Sequence, residues 1–170
     1  MIKDYVRSYS DFPKPGIIFK DITPVLLDPS LTSDLLDALC QYYTGNKPDA
    51  IAGIESRGFL FGLMMAQKLQ IPFIPIRKKG KLPRTTAALS YQLEYGSAEI
   101  EVHKEDIRPG ARILIHDDLL ATGGTAKATA ELIELCGGSV QGFSFIIELL
   151  FLNGRSSIKG PELHSILQID

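Results

Sequence analysis

The chain has 170 residues, 45% of them hydrophobic and 22% charged, with a net charge of −2. That length is enough for one packed core, and the charge balance gives no general attraction to nucleic acid or to a membrane surface, so any basic site has to be local. The two cysteines, Cys40 and Cys136, stand among leucines at no metal-binding spacing, the N-terminus has no signal-peptide core and no stretch is long enough to span a membrane; together these read as one domain, 1–170, with free thiols in a reducing cytoplasm.

In chain order, Asp28-Pro29-Ser30 suits a helix entry, and Leu31, Leu35, Leu36, Leu39 and Tyr43 recur at helical spacing, which predicts a helix over 31–44. A small-residue strand follows at 49–55, then a helical pattern at 59–70 and a strand at 71–76 despite its prolines. Residues 83–97 mix threonine, serine, tyrosine and glycine between strands, too long for a passive connection and suited to a lid. Residues 98–105 alternate apolar and polar, with Ile100 and Val102 on one face, as a half-exposed strand does. The apolar run 112–116 reads as a buried strand, 125–136 as a helix with glycines at its end, 142–151 as another buried strand and 163–169 as the last. Strands alternating with helices predict a mostly parallel, twisted α/β sheet flanked by helices.

Ligands in such sheets lie at the C-terminal ends of the strands. That places candidate chemistry at Glu55-Ser56-Arg57, from Arg77 onward and from Asp117 onward. The last of these, "HDDLLATGGT", combines two signals. Gly123 and Gly124 permit a sharp turn into a helix, so the amides of Ala121 to Thr125, with the hydroxyls of Thr122 and Thr125, are placed to hold a phosphate. Asp117 and Asp118 need not touch it, because carboxylates accept hydrogen bonds from hydroxyls and a ribose offers two side by side. One ligand, a ribose 5-phosphate, accounts for both halves. A lone "TGG" would be only a turn; the paired acids before it make the pattern more specific. Neither Walker A nor GxGxxG is present.

"ILIHDDLLATGGTA" resembles the phosphoribosyl-diphosphate (PRPP) binding motif of the type I phosphoribosyltransferases, and the longer "DDLLATGGT" resembles their adenine branch. "FPKPGIIFKDITPVL", "GIESRGFLFG", "PIRKKGKLP" and "SYQLEYGSAEIE" agree with that branch in order, over most of the chain. The resemblance implies a phosphoribosyltransferase fold with a small hood and a flexible lid. It implies that adenine and PRPP give AMP and pyrophosphate, with Mg²⁺, in a homodimer. Magnesium is then carried mainly by PRPP, near Asp117 and Asp118. The loop of Ser56 and Arg57 faces pyrophosphate and often contains a cis peptide, which here falls at Glu55–Ser56. Arg77, Lys78 and Lys81, from a basic run that would otherwise be a solvated face, contact pyrophosphate too, and Arg77 reaches toward the neighbouring subunit. Phe19 stacks on adenine while the backbone around Ile18 and Lys20 reads the base edge; many relatives have arginine at Lys20. Glu94 in the lid approaches the purine N7 and Tyr95 excludes water from the reacting centre. His116, where the family has an apolar residue, is assigned no role. Two alternatives remain: another purine as substrate, or a non-catalytic regulator that senses PRPP, which would be expected to carry a DNA-binding domain for which 170 residues leave no room.

Overall fold

The computed structural model describes residues 2–92 and 97–170, with Gln92 described by its backbone alone. The hood is a hairpin of β1 (Arg7–Ser10) and β2 (Ile18–Asp21), paired antiparallel from Arg7 with Asp21 to Ser10 with Ile18. A single turn of helix, α1 (Thr23–Leu26), leads to α2 (Pro29–Gln41). Asp28 caps α2 by accepting hydrogen bonds from the amides of Ser30 at 3.0 Å and Leu31 at 3.1 Å, with Pro29 in the first turn where its missing N–H does no harm.

The main sheet contains β3 (Ala50–Ile54), β4 (Phe73–Lys78), β5 (Thr86–Gln92), β6 (Ser97–His103), β7 (Arg112–Leu120), β8 (Ser139–Leu149) and β9 (Glu162–Ile169). Helix α3 (Gly58–Leu69) joins β3 to β4, and α4 (Gly124–Leu135) joins β7 to β8. The strand order is β5-β6-β4-β3-β7-β8-β9. From β4 through β9 the neighbours are parallel; β6 runs antiparallel to both β4 and β5. Chain order reverses at β3, which lies between β4 and β7, and this is where open parallel sheets form their ligand crevice.

The sheet is covered on both faces. Ile113, Ile115, Phe143 and Phe145 pack with Leu132 and Ile133 of α4. Ile51, Leu114 and Ile147 pack with Leu35 and Leu39 of α2 and with Phe61 and Met65 of α3. Burying such side chains contributes about 1.5–3 kcal/mol each.

Two segments differ from the sequence-based expectation. Pairing of β4 with β6 begins only at Arg77 and Lys78, so the strand extends past 76 into the basic run, and Pro75 lies ahead of that ladder, where no β6 acceptor waits for its missing N–H. The expected lid is mostly strand. Thr86 to Gln92 pairs without interruption with β6, and Ala87, Leu89 and Tyr91 turn toward the α4 core on alternate positions. Small residues between them obscure that alternation in the sequence. Residues 93–96, which include Glu94 and Tyr95, lie outside the described residues.

Candidate active site

Strands β4, β3 and β7 are adjacent and parallel, so Arg77 and Lys78, Glu55 to Arg57, and Asp117 to Thr125 emerge side by side at one edge. Arg57 is the hub. Its Nε lies 3.1 Å from Asp118 Oδ2, its Nη1 donates to the Lys20 carbonyl at 3.2 Å, and its guanidinium carbon sits 4.7 Å from the centre of the Phe19 ring. One side chain thus ties the hood to the sheet, combining a charged hydrogen bond with a cation–π contact. The peptide between Glu55 and Ser56 is cis. Ser56 is exposed, and its carbonyl accepts from the Phe59 amide.

The two acids belong to β7 itself and not to the loop after it. The strand continues because β8 keeps pairing with it, Asp117 opposite Phe145 and Leu119 opposite Ile147. The inward alternation changes phase across the acids: Ile113 and Ile115 face the α4 core, yet so does Leu120, while Leu119 packs with the α2 and α3 core. Both carboxylates consequently reach the start of α3. Asp118 meets Arg57, and Asp117 lies against Gly58, where an added Cβ would come within 2.7 Å of the His116 carbonyl and 3.0 Å of Asp117 Oδ1. Asp117 Oδ1 also accepts the Asp118 amide at 2.8 Å.

Burial, and then the neighbouring Asp118 charge, push the Asp117 carboxyl well above its ordinary 3.8. Burial raises Asp118 as well, against the pull of Arg57. The ion pair does not reverse that direction, because the guanidinium is about a third exposed whereas the carboxylate is 3% exposed. Among the described residues no donor is aligned on Asp118 Oδ2. The pair is short of donors and of positive charge, which ribose hydroxyls or a cation would supply. No cluster of three or more metal-binding side chains occurs among the described residues. Two hard carboxylates fit a magnesium ion that takes its other ligands from phosphates and water.

The turn after β7 ends in Gly123, whose φ of 82° is the left-handed conformation glycine adopts most easily, and α4 starts at Gly124 with no side-chain cap. The first internal bond is Lys127 N to Gly123 O, so the amides of the first turn are open toward an anion. The Thr125 hydroxyl is 3.1 Å from Tyr91 OH, while Thr122 is exposed. The turn rests on a second one, a 3-10 turn at Gly154–Ser157, that the sequence did not mark as part of a site. Ser157 Oγ donates to Thr122 O at 2.5 Å, and a Cβ on Gly154 would collide with the Ala121 carbonyl. Arg155 anchors this support: its Nε and Nη2 donate to buried Glu148 at 2.9 and 2.6 Å.

On the opposite side, Glu55 Oε2 accepts from Arg77 Nε at 2.9 Å and from the Lys78 amide at 2.8 Å, linking the loop of Arg57 to the basic run. Burial works against ionisation of Glu55, but these donors outweigh it and hold its carboxyl below the ordinary value. Lys78 and Lys81 are exposed. Of the base-side residues, Ile18 is exposed, and Lys20 turns its side chain to Ser8 Oγ at 2.9 Å while its carbonyl meets Arg57. The lysine side chain is therefore occupied within the hood, and only its backbone faces the cluster. His116 is fully buried, with Nδ1 3.3 Å from Ser144 Oγ.

The sequence pattern of the Phosphoribosyl transferase domain matches residues 30–159. Over 155 residues the chain is 56% identical to the adenine phosphoribosyltransferase of Sorangium cellulosum, covering 91% of this chain and 78% of that one. The crystal structure of the Rhodothermus marinus adenine phosphoribosyltransferase matches with a TM-score of 0.95 at 50% identity, over 99% of this chain and 96% of that one. The Saccharomyces cerevisiae enzyme, solved with an imino-altritol bisphosphate and adenine, matches with a TM-score of 0.92 at 40% identity, over 98% of this chain and 96% of that one. The matched regions include the strand ends that carry Arg57, Arg77 and both acids, and the chain belongs to the type I phosphoribosyltransferase family, among the adenine phosphoribosyltransferases.

Proposed function

We infer that the chain transfers the 5-phosphoribosyl group of PRPP to adenine, releasing AMP and pyrophosphate, as an adenine phosphoribosyltransferase of purine salvage. The observation that carries this reading is the Arg57 cluster, which joins a buried acid, an aromatic face and a backbone carbonyl beside an uncapped helix start. Adenine as the base comes from the relatives, one of which was solved with adenine bound.

In this reading Asp117 and Asp118 accept hydrogen bonds from the ribose hydroxyls, and the amides and hydroxyls from Ala121 to Thr125, through Thr122, Gly123 and Gly124, hold the 5-phosphate. Ser56, Arg57, Arg77, Lys78 and Lys81 face pyrophosphate and stabilise its charge as the bond to the anomeric carbon breaks. Phe19 stacks on adenine, with the backbone of Ile18 and Lys20 at the base edge. Adenine N9 uses its lone pair to form the new bond to the anomeric carbon as the bond to pyrophosphate breaks, and the proton the base carries on N7 is lost to Glu94 or to water. Glu94 attends N7 as acid/base or as a stabiliser of ring charge, and Tyr95 keeps water from the cationic centre. Magnesium, when bound with PRPP beside the two acids, neutralises charge on the departing pyrophosphate. The chain's own work is positioning and electrostatics, with no covalent nucleophile. The proposed working form is a cytoplasmic homodimer of a single 1–170 domain, whose other partners are small molecules. No described helix is long and apolar enough to cross a membrane.

The test is turnover with PRPP and Mg²⁺ against adenine, hypoxanthine, guanine and xanthine. Adenine should be strongly preferred, because a 6-oxo purine reverses the donor and acceptor pattern and leaves buried polar groups unpaired at about 1–3 kcal/mol each. Comparable turnover of a 6-oxo purine would move the assignment to another base. PRPP binding with no transfer to any base would make the chain a sensor.

A further inference from the structure

Glu99 and Glu101 stand two apart on β6, where strand alternation gives them the same face. Their surroundings differ sharply. The Glu99 side chain is 40% exposed and the Glu101 side chain 2%. The cause is the connection from β4 to β5. Glu101 pairs with Arg77 on one side and with Ala88 on the other, so the basic run that joins those strands passes over its carboxylate. Oε1 accepts the consecutive amides of Lys81 at 2.8 Å and Leu82 at 2.9 Å, and Oε2 accepts the Thr86 hydroxyl at 3.1 Å. Lys79 Nζ lies 4.0 Å from the same oxygen. A carboxylate that receives several aligned donors is a strong local tie, and a buried one cannot exchange them for water.

We propose that Glu101 is a positioning residue for the pyrophosphate half of the site: it fixes the backbone of residues 79–86 so that Lys81 is presented beside Arg77 and Lys78, which the β4 ladder and Glu55 already hold. This rests on the phosphoribosyltransferase reading above. Glu101 touches no substrate and acts through the loop it holds. Charged side chains on a long connection would otherwise sample many directions, and a displaced loop would weaken pyrophosphate contacts while leaving the phosphate turn after β7 untouched.

The distinguishing measurement is a split between ligands. Glu101→Leu removes all three acceptor interactions; Glu101→Gln keeps an acceptor oxygen for the two amides and a polar group for Thr86. For Glu101→Leu, the KM for PRPP and the calorimetric Kd for pyrophosphate with Mg²⁺ should rise about tenfold or more, with the Kd for AMP within about twofold of the parent. Glu101→Gln should restore most of the loss. Equal weakening of AMP and pyrophosphate, or unchanged pyrophosphate binding, would overturn the proposal. Amide hydrogen exchange on the parent chain provides an arm independent of how the variants fold: the Lys81 and Leu82 amides should be protected, and fast exchange at both would also overturn it. A parent that binds pyrophosphate and AMP but transfers to no base would sink the functional reading alone, since neither binding measurement needs turnover.

Discussion

Burial and the adjacent Asp118 charge both disfavour ionised Asp117 and raise its carboxyl well above 3.8. A raised folded-state value means that the folded chain holds a proton the unfolded chain gives up. Stability from this group is therefore full below 3.8 and is lost as pH rises through the folded value. Asp117→Asn removes the penalty, and its amide oxygen can still accept the Asp118 amide. The variant should melt higher than the parent at pH 7.5, by a margin that shrinks as pH falls toward 4 (differential scanning calorimetry, roughly one-unit steps). The same change should weaken AMP by about five- to tenfold, because ribose hydroxyls donating to Asp117 favour its ionised form, and a charged acceptor contributes about 1 kcal/mol more than the neutral amide oxygen that replaces it. Lower stability together with full AMP affinity would mean that Asp117 is a structural cap. Arg57 shows the converse at a single position. In the sequence it could pass for a surface arginine over a helix start. Its partners Asp118, Lys20 and Phe19 lie far from it along the chain, and no local pattern reveals a contact that the fold alone creates.

Strand β7 and the turn after it show where legibility in the sequence ends. The pattern "DDLLATGGT" located the paired acids, the glycine turn and the helix start, because each depends on local chemistry: β pairing, a positive φ, amides left open at a helix end. It did not reveal that the acids stay in the strand, since that follows from the length of β8. Nor did it reveal the Gly154–Ser157 support, since Gly154, Arg155 and Ser157 look like an ordinary polar loop until Glu148 and the Ala121 carbonyl are placed beside them. The strand character of the β5 segment is hard to read in the sequence for a different reason: its inward positions begin with alanine, and the alternation is weak in hydrophobicity although regular in space. The support under the turn has a direct consequence. Gly154→Ala places a methyl group against the Ala121 carbonyl, rigid backbone on both sides, and an overpacked contact of that kind costs about 1–3 kcal/mol. The turn should shift, so AMP and free phosphate should weaken together while pyrophosphate, proposed to lie toward Arg77 and Lys81, is much less affected. Isothermal titration with the three ligands would show it; unchanged phosphate and AMP binding would mean that the turn keeps its shape without Gly154.

The packed sheet carries a pH response of its own. His116 is enclosed between the strand ends and α3, and burial lowers its imidazole from 6.5 to about 4. In the unfolded chain it takes up a proton below 6.5; in the folded chain it resists until about 4. A depressed folded-state value contributes stability that is present above 6.5 and is lost as pH falls through 4, a loss of about 3 kcal/mol once both states are protonated. Asp117 and Asp118 act in the opposite direction, gaining stability as pH falls, so the parent's acid profile is a partial cancellation and by itself identifies neither group. His116→Leu separates them. The substitution leaves the Ser144 hydroxyl without its ring partner, which can lower stability at every pH, so the readout is the slope and not the absolute value. Urea unfolding in steps from pH 7.5 to 4 should give a difference between parent and variant that is flat at the alkaline end. Below 6.5 it should move steadily in the variant's favour, by about 3 kcal/mol in total. Parallel curves would show that the imidazole already titrates normally in the folded chain, which requires water to reach a site that the packing of β7 against α3 encloses.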